Sequence, residues 1–229
     1  MPVSVHIADV GVAVAARALV RAPRPGSIPG LCHADVAIAK PLGGSSEGAA
    51  PQLRRVALVA SWDDDADIDG FAHHRLGAAL AGGWHARLQP TRLFGSWPGI
   101  PDDLPRNRSV PGDGSAVVLT LGRVRLPRLR RFLRTSARAE RQAVVAPGFT
   151  WGTALARPPF VATCSLWESA DALAEYAYGN GGGAHPDAIA TDRAEPFHHR
   201  SAFVRFHPYR LEGALEGRNG LPLGAGLLC

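Results

Sequence analysis

Apolar and polar positions alternate at the start of the chain. Val3, Val5 and Ile7 are apolar, and each is followed by a polar or smaller residue. A period of two predicts a strand with one buried face. The alanine-rich run 12–21 predicts a helix, and apolar runs predict strands at 31–39, 56–62 and 84–93. The acidic start of the segment after Trp62 predicts a second helix, because carboxylates there satisfy free amides and the helix dipole.

The second half of the chain repeats this order of elements. Strands are predicted at 116–121, 149–155, 160–167 and 202–211, and a helix at 127–142 has Pro127 near its first position. Another helix begins after Ser169, a good N-cap residue, and runs to Tyr178. Each half is therefore a strand-helix-strand-strand-helix-strand unit, the split βαβ arrangement of ferredoxin-like domains.

Residue identities also recur between the halves at one constant spacing of 118 positions. Pro29-Gly30 matches Pro147-Gly148 at this spacing, and five residues of the last strand match five others: Arg87, Pro90, Arg92, Leu93 and Gly95 with Arg205, Pro208, Arg210, Leu211 and Gly213. A sheet with helices on one face needs a partner for the other. We therefore predict an α+β fold in which tandem ferredoxin-like repeats form an α/β-barrel-like pseudo-dimer with a cavity between the sheets. The predicted boundaries are 1–97, a proline-rich linker at 98–114, and 115–229.

Composition narrows the class of protein. Of the 229 residues, 46% are hydrophobic and 20% are charged, which excludes global disorder. No apolar run approaches the roughly 20 residues of a membrane-spanning helix, and the N-terminus lacks a secretory signal, so a cytoplasmic protein is expected. Three widely separated cysteines form neither a disulfide framework nor a CxxC pair.

Positive charge is concentrated in one segment. The net charge is +5, and the stretch 123–141 holds eight arginines against Glu140. Such a cluster can attract phosphates or form a solvated helix face. Because the segment is predicted to be helical, and no RNP-like glycine-aromatic string accompanies it, we favour the solvated face and expect no nucleic-acid partner.

The halves differ in length at two places, each by 13 positions: the first half has an extra segment around 43–46 that is predicted to be a surface loop, and the second has one between its last helix and its last strand. The second half has 13 more positions there, including Gly179 to Gly183, His185 and the pair His198-His199. Adjacent histidines in a strand point to opposite faces, and the chain has no HExxH pattern, so a zinc site of the usual kind is not expected. Imidazole is a common haem-iron ligand, and Pro186 can hold His185 at a helix start.

Several strings of residues resemble the spheroidene monooxygenase family. They are Cys164 to Ser169, the following helix with Tyr176 and Tyr178, His185 with Ala188-Ile189, Phe203 to Phe206, Gly83 to Leu88 and Gly95 to Trp97. The resemblance runs from about residue 3 to 217. It implies a ferredoxin-like α/β barrel, haem b as the cofactor, His185 as the axial iron ligand, and oxygenation of carotenoid-like substrates. The family carries acidic residues before the final strand, where this chain has His198, His199 and Arg200, so the substrate is left open.

Other side chains are assigned roles around the expected haem. Arg205 and Arg200 are candidates to bind its propionates, because a guanidinium can donate two parallel hydrogen bonds to a carboxylate. Trp167, Tyr178 and Phe203 are candidate pocket walls, with ordinary core packing as the alternative. The alternative for Arg205 is an ion pair with Glu168. No catalytic residue is assigned.

The expected partners are a small organic substrate, O₂ or peroxide, and an electron donor, while further pairing into a homodimer stays open.

Two other functions fit the pattern. A haem-dependent dehydratase or an enzyme of N–O or N–N chemistry would use the same scaffold, because the cofactor carries the chemistry. A non-catalytic ligand-binding or RNA-binding ferredoxin-like protein is the third hypothesis.

Overall fold

The computed structural model describes residues 1–42, 53–107, 114–178, 196–215 and 218–219. The elements of the first half are β1 (Val3–Asp9), α1 (Val12–Val20), β2 (Leu31–Pro41), β3 (Arg55–Trp62), α2 (Asp65–His73), α3 (Arg75–Leu80) and β4 (Trp84–Gly95). Those of the second half are β5 (Ala116–Val124), α4 (Leu129–Ala143), β6 (Phe149–Arg157), β7 (Phe160–Trp167), α5 (Ala170–Tyr178), β8 (His198–Leu215) and the short β9 (Arg218–Asn219). Each predicted element is present, with longer strands than the pattern indicated.

Both helices that follow a tryptophan-ended strand are capped as predicted. The Asp64 carboxylate accepts from the amide of Ala66, and Asp67 completes a capping box on α2. The Ser169 hydroxyl accepts from the amide of Ala172 at 3.0 Å on α5. These contacts satisfy amides that a helix start otherwise leaves without partners.

Eight antiparallel strands close into one barrel. The order around the barrel is β4-β1-β3-β2-β6-β7-β5-β8, and β8 pairs back with β4. Within each half the order is fourth, first, third and second strand, as in a ferredoxin-like unit. The halves meet along two hydrogen-bonded seams, β4–β8 and β2–β6. The predicted α+β barrel is thus confirmed, but the two sheets are joined edge to edge rather than simply stacked.

In each seam, one pair of opposite residues is separated by 118 positions, the spacing found in the sequence. Along β4–β8, Gln89 pairs with His207, and these residues are 118 positions apart. On either side of this pair, Arg87 lies opposite Arg210 and Arg92 lies opposite Arg205. Along β2–β6, Ile38 pairs with Ala156, which is again 118 positions away. A half-turn about these central pairs exchanges each residue with its counterpart in the other half.

The barrel interior is filled by side chains. One continuous apolar cluster draws residues from all eight strands, with Trp84, Phe160 and Phe206 among the largest. Inward-facing side chains of an eight-stranded barrel are just large enough to fill it. In the described part of the chain, these packed side chains lie in the space between the sheets where a cavity was expected.

Part of the predicted linker closes one end of the barrel. Trp97 and Ile100 are buried in the interior cluster, and Leu104 packs against it. The Trp97 indole donates to the carboxylate of Asp35, which is only 2% exposed. This carboxylate also lies 2.9 Å from Nε2 of His33 and 3.2 Å from a guanidinium nitrogen of Arg123. We call the segment from Trp97 to Leu104 the plug. Asp35 of β2 therefore connects the plug to β5 of the other half.

Helices cover the outside of the barrel unequally. In the first half, α1 and α2 bury Ala15, Ile68 and Phe71 against the sheet. In the second half, α5 contributes Leu173 to a smaller cluster, whereas Ala143 is the buried residue of α4. The arginines of α4 at 130, 131, 134, 138 and 141 are exposed, in line with the predicted solvated face.

Within the described part of the chain, no helix combines the length and the apolar character needed to cross a bilayer. The predicted insertions around 43–46 and 179–185 lie outside the described residues.

Asp35→Asn should destabilise the protein by about 1–3 kcal/mol at pH 7, because it removes a buried carboxylate that accepts from Trp97 and pairs with Arg123. Burial raises the pKa of Asp35, but His33, Arg123 and Trp97 together hold it below its ordinary value. Its stabilising contribution is therefore present above the ordinary carboxyl pKa and declines as the pH falls below it. Denaturant unfolding of wild type and variant should converge in acid.

Asp103→Asn is the matched control, because Asp103 is exposed in the same plug segment. Equal stability of wild type and Asp35→Asn at pH 7 would contradict the role assigned to Asp35.

Candidate functional site

Two arginines lie directly opposite each other on the outer face of the β4–β8 seam. Arg92 of β4 is paired with Arg205 of β8, and Thr91 forms a bulge beside them. The neighbouring Val204 of β8 faces the barrel interior, so alternation along the strand turns Arg205 outward. We call Arg92 and Arg205 the arginine pair.

Aromatic side chains surround the arginine pair. A guanidinium nitrogen of Arg92 donates to the hydroxyl of Tyr178, the last residue of α5, at 3.1 Å. The Arg92 guanidinium lies 5.6 Å from the centre of the Tyr178 ring and 6.0 Å from that of Phe203. The Thr91 hydroxyl donates to the carbonyl of Arg205 at 3.1 Å. Helix α5 and the seam thus enclose two cations between flat apolar faces.

The electrostatics of the arginine pair are unusual. Arg92 is 4% exposed and Arg205 is 5% exposed. Burial and the nearby charge of Arg92 lower the pKa of Arg205, although Asp171 and Tyr178 act against this. Like charges directly opposite on adjacent strands destabilise a sheet. Such an arrangement lowers stability unless other groups compensate it, and the charge of Asp171 acts in that direction on Arg205.

Arg92 also has a buried polar atom with no protein partner: its Nε makes no hydrogen bond. Buried donors are nearly always satisfied, and leaving one unsatisfied costs about 1–3 kcal/mol. An unsatisfied guanidinium nitrogen beside a second arginine fits an oxygen acceptor from a bound molecule.

The arginine on the other side of the seam centre is held differently. Arg87 is also buried. Its guanidinium donates a hydrogen bond of 2.7 Å to the carboxylate of Asp65 and forms a second ion pair with Asp69, and both of these acids lie on α2. Burial lowers the pKa of Arg87, but these two carboxylates outweigh burial and raise it overall. Its strand partner Arg210 is half exposed and binds Glu212. This pair is neutralised by the protein itself.

The structure brings together three of the residues selected from the sequence. Arg205, Tyr178 and Phe203 all belong to the region around the arginine pair. Trp167 lies beneath α5 in the core, where it stacks on Tyr176 and donates to the hydroxyl of Ser165. Arg200 is exposed near the start of β8, and its odd separation from Arg205 places it on the other face of the strand.

His185, the predicted iron ligand, lies outside the described residues. Among the described residues, no group of three or more His, Cys, Asp or Glu side chains could hold a metal ion. The other candidate histidines are separated: His198 is half-buried against Phe132, while His199 and His207 are exposed.

Sequence reasoning missed Arg92 as a binding residue. The sequence pointed to Arg92 only as one of the residues repeated at a spacing of 118 positions, where its counterpart is Arg210. Arg210 is an ordinary surface arginine. The register of the seam could have identified Arg92. If a half-turn relates the two strands and Arg87 pairs with Arg210, then Arg205 has to pair with Arg92.

The fold defines the class of this protein as an antiparallel α+β barrel with helices on its outer face. Two solved structures of aldoxime dehydratase share the fold. One, a complex with butyraldoxime, has a TM-score of 0.53 at 9% identity and covers 90% of this chain and 79% of that chain. The other has a TM-score of 0.50 at 10% identity, covering 90% and 80%. No protein-family model matches the chain.

The chain belongs to the spheroidene monooxygenase family. It is 30% identical over 206 residues to the spheroidene monooxygenase of Rubrivivax gelatinosus, and the match covers 84% of this chain and 77% of that protein. The resemblance seen in the sequence is thereby confirmed. Membership makes the chain a monooxygenase-type oxidoreductase that acts with O₂ on a small molecule.

Arg87→Gln should lower the free energy of unfolding by about 1–2 kcal/mol, because it removes a buried donor shared by Asp65 and Asp69. Arg210→Gln, at the paired surface position, should change it by less than about 0.5 kcal/mol. Denaturant melts of the two variants measure the difference. Equal effects would contradict the structural role of the Arg87 cluster.

Proposed function

We propose that the protein is a haem-dependent monooxygenase of an apolar, carotenoid-like substrate, with His185 as the iron ligand. The observation that carries this proposal is the joint placement of family-like residues around the arginine pair. Arg205, Tyr178 and Phe203 meet on one face. The relative whose name states its activity is a spheroidene monooxygenase. His185 follows Tyr178 by seven positions in the sequence.

The residues around the arginine pair fit a haem group. Haem has a flat apolar macrocycle and two carboxylates, and the pair offers two buried guanidiniums, of which that of Arg92 lies against the rings of Tyr178 and Phe203. The unsatisfied Nε of Arg92 needs an acceptor, which a carboxylate oxygen supplies. When bound, haem supplies the activation of O₂.

The chain's own residues have separate tasks in this proposal. The arginine pair holds carboxylates and fixes the orientation of the bound molecule. Tyr178 positions the guanidinium of Arg92 through its hydroxyl, and the Phe203 ring excludes water from the apolar face. The contact of Arg200 with a propionate stays a prediction. Arg200 lies on the face of β8 opposite to that of Arg205. Trp167 supports α5 from the core.

The two halves are proposed to be divergent copies of one ferredoxin-like unit, with boundaries at 1–97 and 115–229. Equal strand orders and the spacing of 118 positions at the centre of both seams support this. In the first copy, Asp65 and Asp69 neutralise Arg87 of the seam. The second copy is the one proposed to bind the cofactor.

Monooxygenation consumes two electrons beside O₂, so an electron donor belongs to the proposal, while a homodimer stays a prediction. The likeness to aldoxime dehydratase extends to the fold alone, since identity is 9–10%. Dehydration of an aldoxime is therefore an assay to run beside oxygenation, and no residue contact favours it.

Reconstitution with haemin should give a Soret band well above that of free haemin. His185→Ala should weaken haem binding by at least about tenfold or shift the band, because the axial ligand sets iron coordination. Absorption titration measures both. Oxygenation is then assayed with spheroidene and an added reductant.

His73→Ala is the control, because His73 is exposed at the end of α2 and far along the chain from the proposed site. Absence of any Soret band after reconstitution would overturn haem dependence. A normal band in His185→Ala would move the ligand to another histidine, with His198, His199 and His207 the next to test.

A further inference from the structure

The outer face of α4 carries a row of exposed positive charge. Four exposed arginines follow one another at separations of four, four and three positions: Arg130, Arg134, Arg138 and Arg141. Residues three or four apart lie on the same side of a helix, so these side chains form a row about 17 Å long. We call these four residues the arginine row. The only acid of α4 is Glu140, which is half-buried.

Large apolar side chains are exposed beside the arginine row. Leu133 is 50% exposed and follows Arg130 by three positions, which places these two side chains next to each other. Leu126, seven positions before Leu133, is 59% exposed in the turn that leads into α4. Val145 is 79% exposed just beyond the end of α4. Apolar groups therefore lie in the middle and at both ends of a strongly basic surface.

The inner side of α4 attaches the helix to the rest of the protein. The ring of Phe132 packs edge-on against that of His198, with 5.0 Å between the ring centres. The hydroxyl of Tyr176 on α5 donates to the carbonyl of Ala139 at 3.1 Å. Ala143 is the buried residue of this 15-residue helix. The contacts on the inner side therefore fix the direction in which the outer side faces the solvent.

The combination of charged and apolar groups selects the kind of partner. Arginines alone are enough to bind the phosphates of a nucleic acid, and exposed leucines gain nothing there. An interfacial helix instead binds lipid headgroups through its basic side chains, while its apolar side chains enter the bilayer to a depth of about 5–10 Å. Guanidinium groups suit this role, because they bind phosphate through two parallel hydrogen bonds and carry long apolar stems.

The distribution of the apolar groups also argues against an acidic protein as the partner. Protein interfaces gather their apolar anchors near the centre of the contact. Here Leu126, Leu133 and Val145 are spread over the whole length of α4 and its flanking turns. A bilayer has no such centre and can receive apolar side chains all along a helix that lies on it.

We propose that α4 is a docking surface for membranes that contain anionic lipids. The arginine row binds the phosphates of the headgroups, and Leu126, Leu133 and Val145 enter the outer part of the hydrocarbon. The binding itself does not depend on the haem proposal. Its consequence for catalysis rests on the proposed function, because an apolar, carotenoid-like substrate partitions into the same bilayer that the enzyme would then occupy.

Sedimentation with lipid vesicles tests the proposal on the full-length protein without added cofactor. Wild type should bind vesicles of phosphatidylcholine mixed with phosphatidylglycerol at least about tenfold more tightly than vesicles of phosphatidylcholine alone, because every arginine near an anionic surface strengthens binding. This preference should decline as the salt concentration rises, because salt screens exposed charges.

The position of the arginines is tested at constant loss of charge. A triple variant carries Arg130→Gln, Arg134→Gln and Arg138→Gln. It should bind the anionic vesicles at least about tenfold more weakly than wild type. The matched control removes the same charge at three exposed arginines outside α4, namely Arg54, Arg75 and Arg106. The control should stay within about threefold of wild type, because charges far from the bound surface are screened.

Leu133→Ser separates a lipid surface from a general site for polyanions. It should weaken binding to the anionic vesicles at least about threefold, because the side chain no longer gains from entering the hydrocarbon. Leu53→Ser is the matched control, since Leu53 is 56% exposed outside α4. It should leave vesicle binding unchanged. Circular dichroism confirms that each variant is folded.

Wild type that does not bind anionic vesicles at low salt would overturn the proposal. So would equal binding by the two triple variants, or a Leu133→Ser variant that binds as tightly as wild type. Release from the vesicles by an equal concentration of duplex RNA would assign the surface to nucleic acid instead. All of these outcomes are measured without haem, so failure of the docking surface and failure of the haem proposal are distinguishable.

Discussion

Closure of the barrel along β4–β8 is the constraint on which the rest of the structure depends. Because each sheet edge is satisfied by the other half, the two inner faces enclose one apolar core filled by side chains from every strand. The helices lie on the outer faces, where they cover further apolar clusters. The same seam determines which charges meet there, since its register places Arg92 opposite Arg205 and Arg87 opposite Arg210.

The two halves use this shared backbone for different purposes. In the first, α2 supplies carboxylates that hold Arg87, and α1 and α2 bury a large apolar cluster. In the second, the covering cluster is smaller. The first half thus neutralises its seam arginine Arg87 with carboxylates of its own helix. The second half contributes Arg205 opposite Arg92, and Tyr178 of α5 accepts a hydrogen bond from Arg92.

Much of this fold followed from the sequence because its signals are local or periodic. Alternation predicted the strands, and Ser169 predicted a helix start. The relation between the halves that the spacing of 118 positions predicts stays a prediction. Pairing across the barrel was harder, because it depends on contacts between residues far apart in sequence. Trp97 was predicted only as the last residue of the first repeat although it plugs the barrel, and Asp35 has no local signature at all. Arg205 was found through family resemblance, whereas Arg92 required the bulge at Thr91 and the register of β8.

The arginine pair also links binding to stability. A like-charged buried pair raises the free energy of the empty protein, and an anion that neutralises it stabilises the folded state by mass action. The Arg92 guanidinium is held in place by the hydroxyl of Tyr178 and by the rings of Tyr178 and Phe203. At the other end of the seam, Asp65 and Asp69 of α2 neutralise Arg87, so the same pair of strands carries buried positive charge in two different settings.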